Sequence, residues 1–435
     1  MSESNIADDL RIKFETAIKE TIANSEQYQA EKFKRNRVLD MKTMVKAIHL
    51  FRGGSLSKEL HELSIPVTPS AFVQRRKKLS SMLFEEILSA FNGKCNDPEL
   101  YHGLRVMAVD GTAVNLARDP KASTFIQNAS NPKGYNQMHA CCIYDVLNKT
   151  YHSCSINRDE IGALLYALDW YDFDKNTLFV TDRGYSAYSL FATFIEKGYY
   201  FLIRTKQAKS AMKKIAELPM EEFDRDISFT ITTTQTKEDK EKGYILVQTQ
   251  KNKNRTYSPN TRAGRFDYPT PYHFSNLRVV RFMLNTGEYE TLVTNLPRGQ
   301  NGFSSKDLAE LYHARWGIET SFSELKYGIG LNLLHGKSEE FARQELYAAL
   351  TISNFCSRVA REVVIQKKSE TTYAYKVNQK MAIYLCRKFL IENTMTGEQL
   401  MKEIARYTEP VRPGRSDERN IKPKSFPGFT FRIAA

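Results

Sequence analysis

The sequence predicts an α/β protein, with a sheet in the middle of the chain and helical regions on both sides of it. Between residues 104 and 204, three short apolar strands precede a segment in which helix and strand alternate. Ile161, Leu164 and Leu168 recur at helical spacing within that segment. This alternation favours a sheet with helices packed on its faces. The expected strands cover residues 104–109, 140–144, 151–156, 178–181 and 199–203, and the expected helices cover residues 159–171 and 185–196.

Residues 1–103 are expected to form a helical, DNA-binding region with basic patches. Three short helices are expected over residues 41–51, 55–63 and 70–79. Ser55 and Thr68 are placed to cap the second and third of these helices. Helix, tight turn and basic helix is the outline of a helix-turn-helix over residues 41–79, although a plain helical bundle with one solvated basic face explains it equally well. The DNA contacts that this hypothesis names are Arg75, Arg76, Lys77 and Lys78.

Further along the chain, the alternation of strand and helix stops and later gives way to helices. Residues 205–297 contain threonine-rich and apolar runs that indicate a mostly β insertion, with strands expected at 227–234, 243–249, 277–284 and 289–295. A basic loop is expected to join the strands at 243–249 and 277–284. Long amphipathic segments then predict helices over residues 305–327, 338–366, 373–392 and 397–406. The resulting division is 104–204 for the first part of an α/β core, 205–297 for the insertion, 298–367 for the helical end of the core, and 368–435 for a helical C-terminal region and basic tail.

The amino-acid composition indicates which kind of partner and which cellular location to expect. The 435 residues include 63 Lys and Arg against 50 Asp and Glu, so the formal net charge is +13. This excess indicates a polyanionic partner such as nucleic acid, or a basic surface that serves only solubility. No run approaches the ~18 apolar residues of a membrane span, so no membrane partner is expected. The acidic start lacks the apolar core of a secretory signal, and the six scattered cysteines suit a reducing cytoplasm.

Two aspartates are expected at the ends of apolar strands. Asp110 follows Val-Met-Ala-Val and precedes Gly-Thr, and Asp182 follows Leu-Phe-Val-Thr and precedes Arg-Gly-Tyr. Carboxylates at strand ends of an α/β sheet face the usual ligand crevice. Each could instead be an ordinary turn aspartate, which is the commoner meaning of Asp-Gly.

A third motif lies in the segment YHARWGIETSFSELK, residues 312–326. At ~100° per residue, four of its side chains fall within about 60° of one helical face. They are Tyr312, Arg315, Glu319 and Lys326. The alternative is a solvated face with an ion pair between Arg315 and Glu319, which are four positions apart. That alternative leaves Tyr312 and Lys326 unexplained.

These residues together suit phosphodiester chemistry. Three carboxylates can hold two Mg²⁺ ions ~3.5–4 Å apart, one to activate the attacking oxygen and one to stabilise the leaving oxygen. Mg²⁺ prefers carboxylates, water and substrate phosphate, so no His or Cys is needed, and Mn²⁺ is an acceptable substitute. Arg315 can grip a phosphate with two hydrogen bonds, Lys326 with a point charge and Tyr312 with one hydrogen bond.

The row Tyr-x2-Arg-x3-Glu-x6-Lys resembles the signature of bacterial DDE transposases of the insertion-sequence-4 type, within the RNase H-like transposase and integrase group. The two aspartate blocks resemble those that carry the first two acids of the family, and the likeness covers about residues 104–360. It implies an RNase H-like core with a mostly β insertion between its second and third acids. It also implies that Asp110, Asp182 and Glu319 are catalytic and hold the metal. The phosphate contacts that it implies are Tyr312, Arg315 and Lys326, while Arg183 could either contact DNA or neutralise the carboxylate site.

The resemblance implies a transposase that binds double-stranded DNA at the ends of its element, nicks it and joins the 3′-OH to target DNA. A homodimer is expected in the synaptic complex, and the location is expected to be the bacterial cytoplasm, in association with the nucleoid. Two alternatives stay open: a nuclease or domesticated derivative on the same fold, and a non-catalytic DNA-binding regulator.

One feature departs from the family pattern. Some relatives carry a tryptophan at the exit of the insertion, which stacks on a flipped base when a DNA hairpin forms. The tryptophans here are Trp170 and Trp316, and the nearest aromatic residue to that place is Tyr289. Trp316 is expected to pack in the core. A hairpin intermediate is therefore left open.

Overall fold

The computed structural model describes residues 6–25, 38–95, 98–156, 159–206, 212–247, 266–299, 302–365, 373–392 and 394–412. In this part of the chain a ten-stranded sheet carries helices on its faces, as the α/β prediction requires. No helix in these ranges is both long enough and apolar enough to cross a lipid bilayer.

The N-terminal helices follow from local start signals. They are α1 (Ile6–Asn24), α2 (Met41–Leu50), α3 (Leu56–Glu62), α4 (Pro69–Arg76) and α5 (Ser81–Gly93). The Ser55 side chain accepts a hydrogen bond from the backbone N–H of Lys58, and the Thr68 side chain accepts one from that of Ala71. Both caps satisfy backbone donors that a helix start leaves without partners, so the predicted helix starts are confirmed.

The core of the sheet combines an antiparallel and a parallel part. Its strands are β1 (Arg105–Leu116), β2 (Phe125–Asn128), β3 (Asn131–Asp145), β4 (Thr150–Ile156), β5 (Thr177–Thr181) and β6 (Tyr200–Arg204). β3 runs antiparallel to β1, β2 and β4, whereas β5 is parallel to β1 and β6 is parallel to β5. The crossovers between the parallel strands contain α6 (Glu160–Trp170) and α7 (Tyr188–Lys197). The order β4-β3-β1-β5-β6 is that of an RNase H-like core, and this prediction is confirmed.

The segment after β6 extends the same sheet. It contributes α8 (Lys213–Ala216), β7 (Phe223–Thr232), α9 (Lys237–Glu241), β8 (Ile245–Leu246), β9 (Tyr272–Met283) and β10 (Tyr289–Thr294). β10 pairs antiparallel with β6, and β9 and β7 follow outward. The basic loop expected between the strands at 243–249 and 277–284 lies largely outside the described residues, since 248–265 are not among them.

The C-terminal part is mainly helical. It comprises α10 (Ser305–Ala314), α11 (Trp316–Ser323), α12 (Glu339–Arg361), β11 (Ala374–Val377), α13 (Gln379–Ile391), α14 (Gly397–Arg406) and β12 (Thr408–Val411). The helix expected over residues 305–327 is not regular. At Arg315 the backbone hydrogen bonds span three residues, and Glu324–Ile329 forms a π-helical segment. The helix expected from residue 373 begins as a strand instead, and the tail 413–435 lies outside the described residues.

The N-terminal and C-terminal helices share one apolar core. Side chains of α1, α2, α5, α12 and α13 pack together against one face of β1, β3 and β4. A second cluster on the opposite face joins α6 and α7 to the sheet, and a third lies under α10. The two helical regions therefore form a layer behind the sheet that fixes α11 and the π-helical segment in place.

Candidate active site

Asp110 and Asp182 lie side by side on neighbouring parallel strands. Val109 of β1 pairs with Thr181 of β5, and each aspartate directly follows one of these two paired residues in the chain. Contrary to the prediction from sequence, Asp110 does not lie at a strand end, because β1 continues to Leu116 along its long antiparallel partner β3. The parallel pairing does end at Val109 and Thr181, so both carboxylates still project at the edge of the parallel part of the sheet.

The backbone after Asp182 turns at once into a short 3₁₀ turn, Arg183–Tyr185. The Asp182 carboxylate accepts a hydrogen bond of 2.7 Å from the backbone N–H of Gly184, which holds the side chain at the sheet edge. Arg183 is exposed beside it. A side chain in this position is available to solvent and to a bound polyanion.

Gly111 is required by close packing and not by a turn. The residue lies inside β1, and a Cβ atom there would collide with the side chains of Glu160 and His139. The backbone N–H of Gly111 donates a 2.8 Å hydrogen bond to the Asp110 carboxylate. Gly111 therefore leaves room for the Glu160 and His139 side chains against β1, at the position that follows Asp110.

Arg315 joins Asp110 to Glu319. Its Nη2 donates to Glu319 Oε1 at 3.0 Å, and its Nη1 lies 3.7 Å from Asp110 Oδ2. The arginine side chain is 5% exposed, so this is an interior ion-paired group and not an arm in solvent. α11 packs against β1, which brings the third acid of the sequence motif to the first. The structure thus places all three predicted acids in one region.

The other two residues of the row have different surroundings. Tyr312 is buried in the apolar cluster under α10, and burial raises the pKa of its hydroxyl. Lys326 is half-buried within the π-helical segment. The row therefore does not lie on a single regular helix face. A direct phosphate contact by Tyr312 or Arg315 requires the side chain to leave its buried position.

A fourth acid, which sequence reasoning missed, lies beside the first. Glu160 is the first residue of α6, and its Oε1 is 2.9 Å from His139 Nε2 on β3. We refer to these two side chains as the acid–histidine pair. The only sequence signal for it is the acidic dipeptide Asp159-Glu160 at the start of a predicted helix, which is also typical of an ordinary helix start.

The electrostatics of the site reflect crowded negative charge. Burial raises the pKa of Asp110 to about 6, and the charges of Asp182 and Glu319 act in the same direction, against the Gly111 hydrogen bond and Arg315. Burial likewise raises the pKa of Glu160 to about 7, helped by the charges of Asp110, Asp182 and Asp159. Both carboxyls therefore hold a proton more strongly than exposed ones.

The donor chemistry of the site fits a hard divalent cation. Asp110, Asp182 and Glu319 offer carboxylate oxygens, which Mg²⁺ prefers. A cationic group, the guanidinium of Arg315, already stands against two of these carboxylates. Within the described residues, no three Asp, Glu, His or Cys side chains are close enough to one another to hold one metal ion. The oxygen atoms of these three acids are thus of the kind that Mg²⁺ prefers, while Arg315 holds the side chains of Asp110 and Glu319.

The basic stretch of α4 divides into buried and exposed residues. Arg76 is 2% exposed, and it bonds Glu345 Oε1 at 2.9 Å and Gln344 Oε1 at 2.7 Å on α12. Its role as a DNA contact was a wrong expectation, because these buried partners occupy its guanidinium. Arg75 is half-buried and donates to the carbonyl of Leu39, whereas the two lysines at 77 and 78 are exposed.

Contrary to the prediction from sequence, Trp316 does not pack in the core. Its side chain is 41% exposed, with the guanidinium of Arg315 5.0 Å from the ring centroid. It projects outward because α11 turns its other face, with Ile318 and Phe322, to the apolar core. Tyr289 begins β10 and is half-buried.

Comparison with known proteins assigns the chain to a class. Residues 101–355 match the family model described as the transposase DDE domain. The chain belongs to this family of DDE transposases. The match includes Asp110, Asp182 and Glu319.

Two individual proteins also resemble this chain in sequence or in structure. A protein of Synechocystis sp. strain PCC 6803, described as a candidate transposase for the insertion sequence element IS4SA, is 32% identical over 114 residues. That match covers 26% of this chain and 32% of the relative, so only about a third of the relative's length is spanned. This relative is named for an element of the insertion-sequence-4 type, the type that the sequence motif resembles. A cryo-EM structure of the piggyBac transposase synaptic complex with hairpin DNA shares 10% identity and a TM-score of 0.44, covering 93% of this chain and 84% of that one.

Proposed function

We propose that the chain is the transposase of an insertion sequence. It binds the ends of its element, nicks DNA by attack of water to leave a 3′-OH, and joins that 3′-OH to target DNA in a cut-and-paste reaction. One observation carries the proposal: Asp110 and Asp182 follow paired positions on neighbouring strands, and Arg315 links Asp110 to Glu319. Membership of the DDE transposase family supports it.

Asp110, Asp182 and Glu319 would hold two Mg²⁺ ions, or Mn²⁺ in their place. Bound there, the metal supplies Lewis-acid stabilisation to the attacking and leaving oxygens. Arg183, exposed next to Asp182, and Lys326, half-buried and seven residues after Glu319 in the chain, would position the scissile phosphate. Both are cations, so they would offset the negative charge that a DNA backbone adds.

The partners would be double-stranded DNA at the element ends and at the target. The net charge of +13 supports a polyanionic partner. Residues 1–103 would contribute to end binding, with Lys77 and Lys78 as the exposed basic side chains that directly follow α4. Synapsis requires two ends to be held together, so a homodimer is proposed, with residues 338–408 as its candidate surface. The protein would act in the bacterial cytoplasm, on the nucleoid.

The test compares Glu319→Gln with wild type on a duplex that carries an element end. The inverted repeats that flank the gene supply that sequence. Glu319→Gln removes one ligand charge and keeps the shape, so end binding should persist in a gel shift while Mg²⁺-dependent nicking is lost. The matched control is Glu310→Gln on α10, an exposed carboxylate outside the acid cluster.

The alternatives predict other outcomes. A nuclease that no longer transposes would nick but would not join a pre-nicked end to target DNA. A non-catalytic regulator would bind DNA and show no metal-dependent nicking. Nicking by Glu319→Gln at the wild-type rate would end the catalytic assignment of Glu319.

A further inference from the structure

Arg315 is placed unlike a residue that waits in solvent for a phosphate. Its guanidinium is buried between the rings of Tyr312 and Trp316, with its carbon 5.6 Å and 5.0 Å from their centroids. Two of its nitrogens face the carboxylates of Glu319 and Asp110. The third nitrogen, Nε, has no hydrogen-bond partner among the described residues.

The oxygens that Arg315 contacts are oxygens that a metal would need. Mg²⁺ binds carboxylate oxygen at ~2.0–2.1 Å and demands near-octahedral geometry, so it tolerates little crowding around its ligands. Glu319 Oε1 already accepts a 3.0 Å hydrogen bond from Arg315, and Asp110 Oδ2 lies 3.7 Å from the same guanidinium. A positive charge at this distance also repels an entering cation in a partly buried site.

We propose that Arg315 is a positioning residue that holds Asp110 and Glu319 together and weakens divalent-cation binding by competing for the same carboxylate oxygens. The inference rests on the proposed function, because it takes these acids as the metal-holding groups. It assigns Arg315 an action on the acids themselves, in addition to any contact with DNA.

The same side chain would couple the metal to DNA. A two-bond phosphate contact through the two terminal nitrogens of Arg315 uses the same nitrogens that face Glu319 and Asp110, so it competes with these carboxylate contacts. A phosphate that draws Arg315 away leaves Asp110 and Glu319 with uncompensated negative charge, which strengthens their affinity for a cation. By thermodynamic linkage, the metal strengthens phosphate binding by the same factor. The site would then take up metal mainly when DNA is in place.

The experiment measures Mn²⁺ binding to the full-length protein without DNA, by the loss of the free Mn²⁺ electron paramagnetic resonance signal. Arg315→Gln removes the charge and should lower the Mn²⁺ Kd at least tenfold. Arg315→Lys keeps the charge and should stay within about threefold of wild type, in line with a Coulomb effect. The control Lys306→Gln removes an exposed charge at the start of α10 and should leave the Kd unchanged.

Glu319→Gln distinguishes a failure of the competition by Arg315 from a failure of the proposed metal site. If it weakens Mn²⁺ binding at least tenfold, the metal is at the proposed site. With that result, an unchanged or higher Kd in folded Arg315→Gln overturns the competition and leaves the proposed function standing. If wild type and Glu319→Gln bind Mn²⁺ equally, the metal site itself is refuted, and the inference falls with it.

A measurement on the wild type covers the case in which Arg315→Gln does not fold. The side-chain resonances of ¹⁵N-labelled Arg315, assigned by their loss in Arg315→Lys, should shift in a saturable way as Mg²⁺ is added, because the guanidinium leaves the carboxylates. Resonances that do not move while Mg²⁺ saturates the site would overturn the competition.

Discussion

Replacement of Glu160 by Gln should stabilise the protein above neutral pH and have little effect near pH 5. The folded protein raises the pKa of this carboxyl to about 7, from an ordinary value of 4.5. Between those values the folded state holds a proton that the unfolded state has released, so stability falls as the pH rises through this window. The Gln side chain does not ionise, and it can donate through its amide N–H or accept through its amide oxygen, so it suits either tautomer of His139.

The size of the effect follows from the same values. The difference between 4.5 and about 7 corresponds to about 3.4 kcal/mol at 1.36 kcal/mol per pH unit. The Glu160 side chain is 36% exposed, so solvent screening reduces this to about 1–2 kcal/mol. We expect Glu160→Gln to gain that amount at pH 8 relative to wild type, and close to nothing at pH 5.

The assay is urea unfolding of both proteins in EDTA at pH 5, 6, 7 and 8. Glu310→Gln is the control, since that exposed carboxylate lies outside the acid cluster and should show no such pH trend. A free-energy difference that is the same at pH 5 and pH 8 would refute the reasoning. So would a variant less stable than wild type at pH 8.

Three further changes test the packing and the basic surface. Gly111→Ala should lose about 1–3 kcal/mol in denaturant unfolding, because the new methyl overlaps the acid–histidine pair; unchanged stability would contradict that packing. Arg76→Ala should lose about 3–5 kcal/mol, because it removes the guanidinium beside the buried Glu345 carboxylate and leaves His335 and the backbone N–H of Gly336 as its partners; a loss below 1 kcal/mol would show that the pair is not buried in solution. Lys77→Ala with Lys78→Ala should leave the melting temperature unchanged and lower DNA affinity. An equal loss for element ends and random DNA would show that they contact only phosphate, and unchanged affinity would remove α4 from the interface.

Local patterns in the sequence determined much of the architecture. Apolar spacing identified parts of β1, β3, β4, β5 and β6 and the crossover helix α6, since periodicity depends only on neighbouring residues, but it missed β2 and the full lengths of β1 and β3. The caps at Ser55 and Thr68 marked helix starts because a cap bonds a backbone group within three residues. The order of elements was enough to place Asp110 and Asp182 at one edge of a sheet, and the four-residue spacing of Arg315 and Glu319 was enough to pair them.

Other features were decided by which elements pack on each other. Arg76 and Glu345 are 269 positions apart, so nothing local distinguishes Arg76 from the exposed lysines that follow it. The acid–histidine pair joins a helix start to a strand 21 positions earlier, and only the close approach at Gly111 brings it to Asp110.

Arg315 makes one contact that the sequence predicts and one that depends on tertiary packing. Its bond to Glu319 is local and could be expected from spacing, whereas its contact with Asp110 exists because α11 packs against β1. Burial then decides whether the guanidinium is available to a phosphate. A guanidinium on an open helix face is free to meet a phosphate, but one that is 5% exposed between two carboxylates is held by those carboxylates, and tertiary packing alone creates that enclosure.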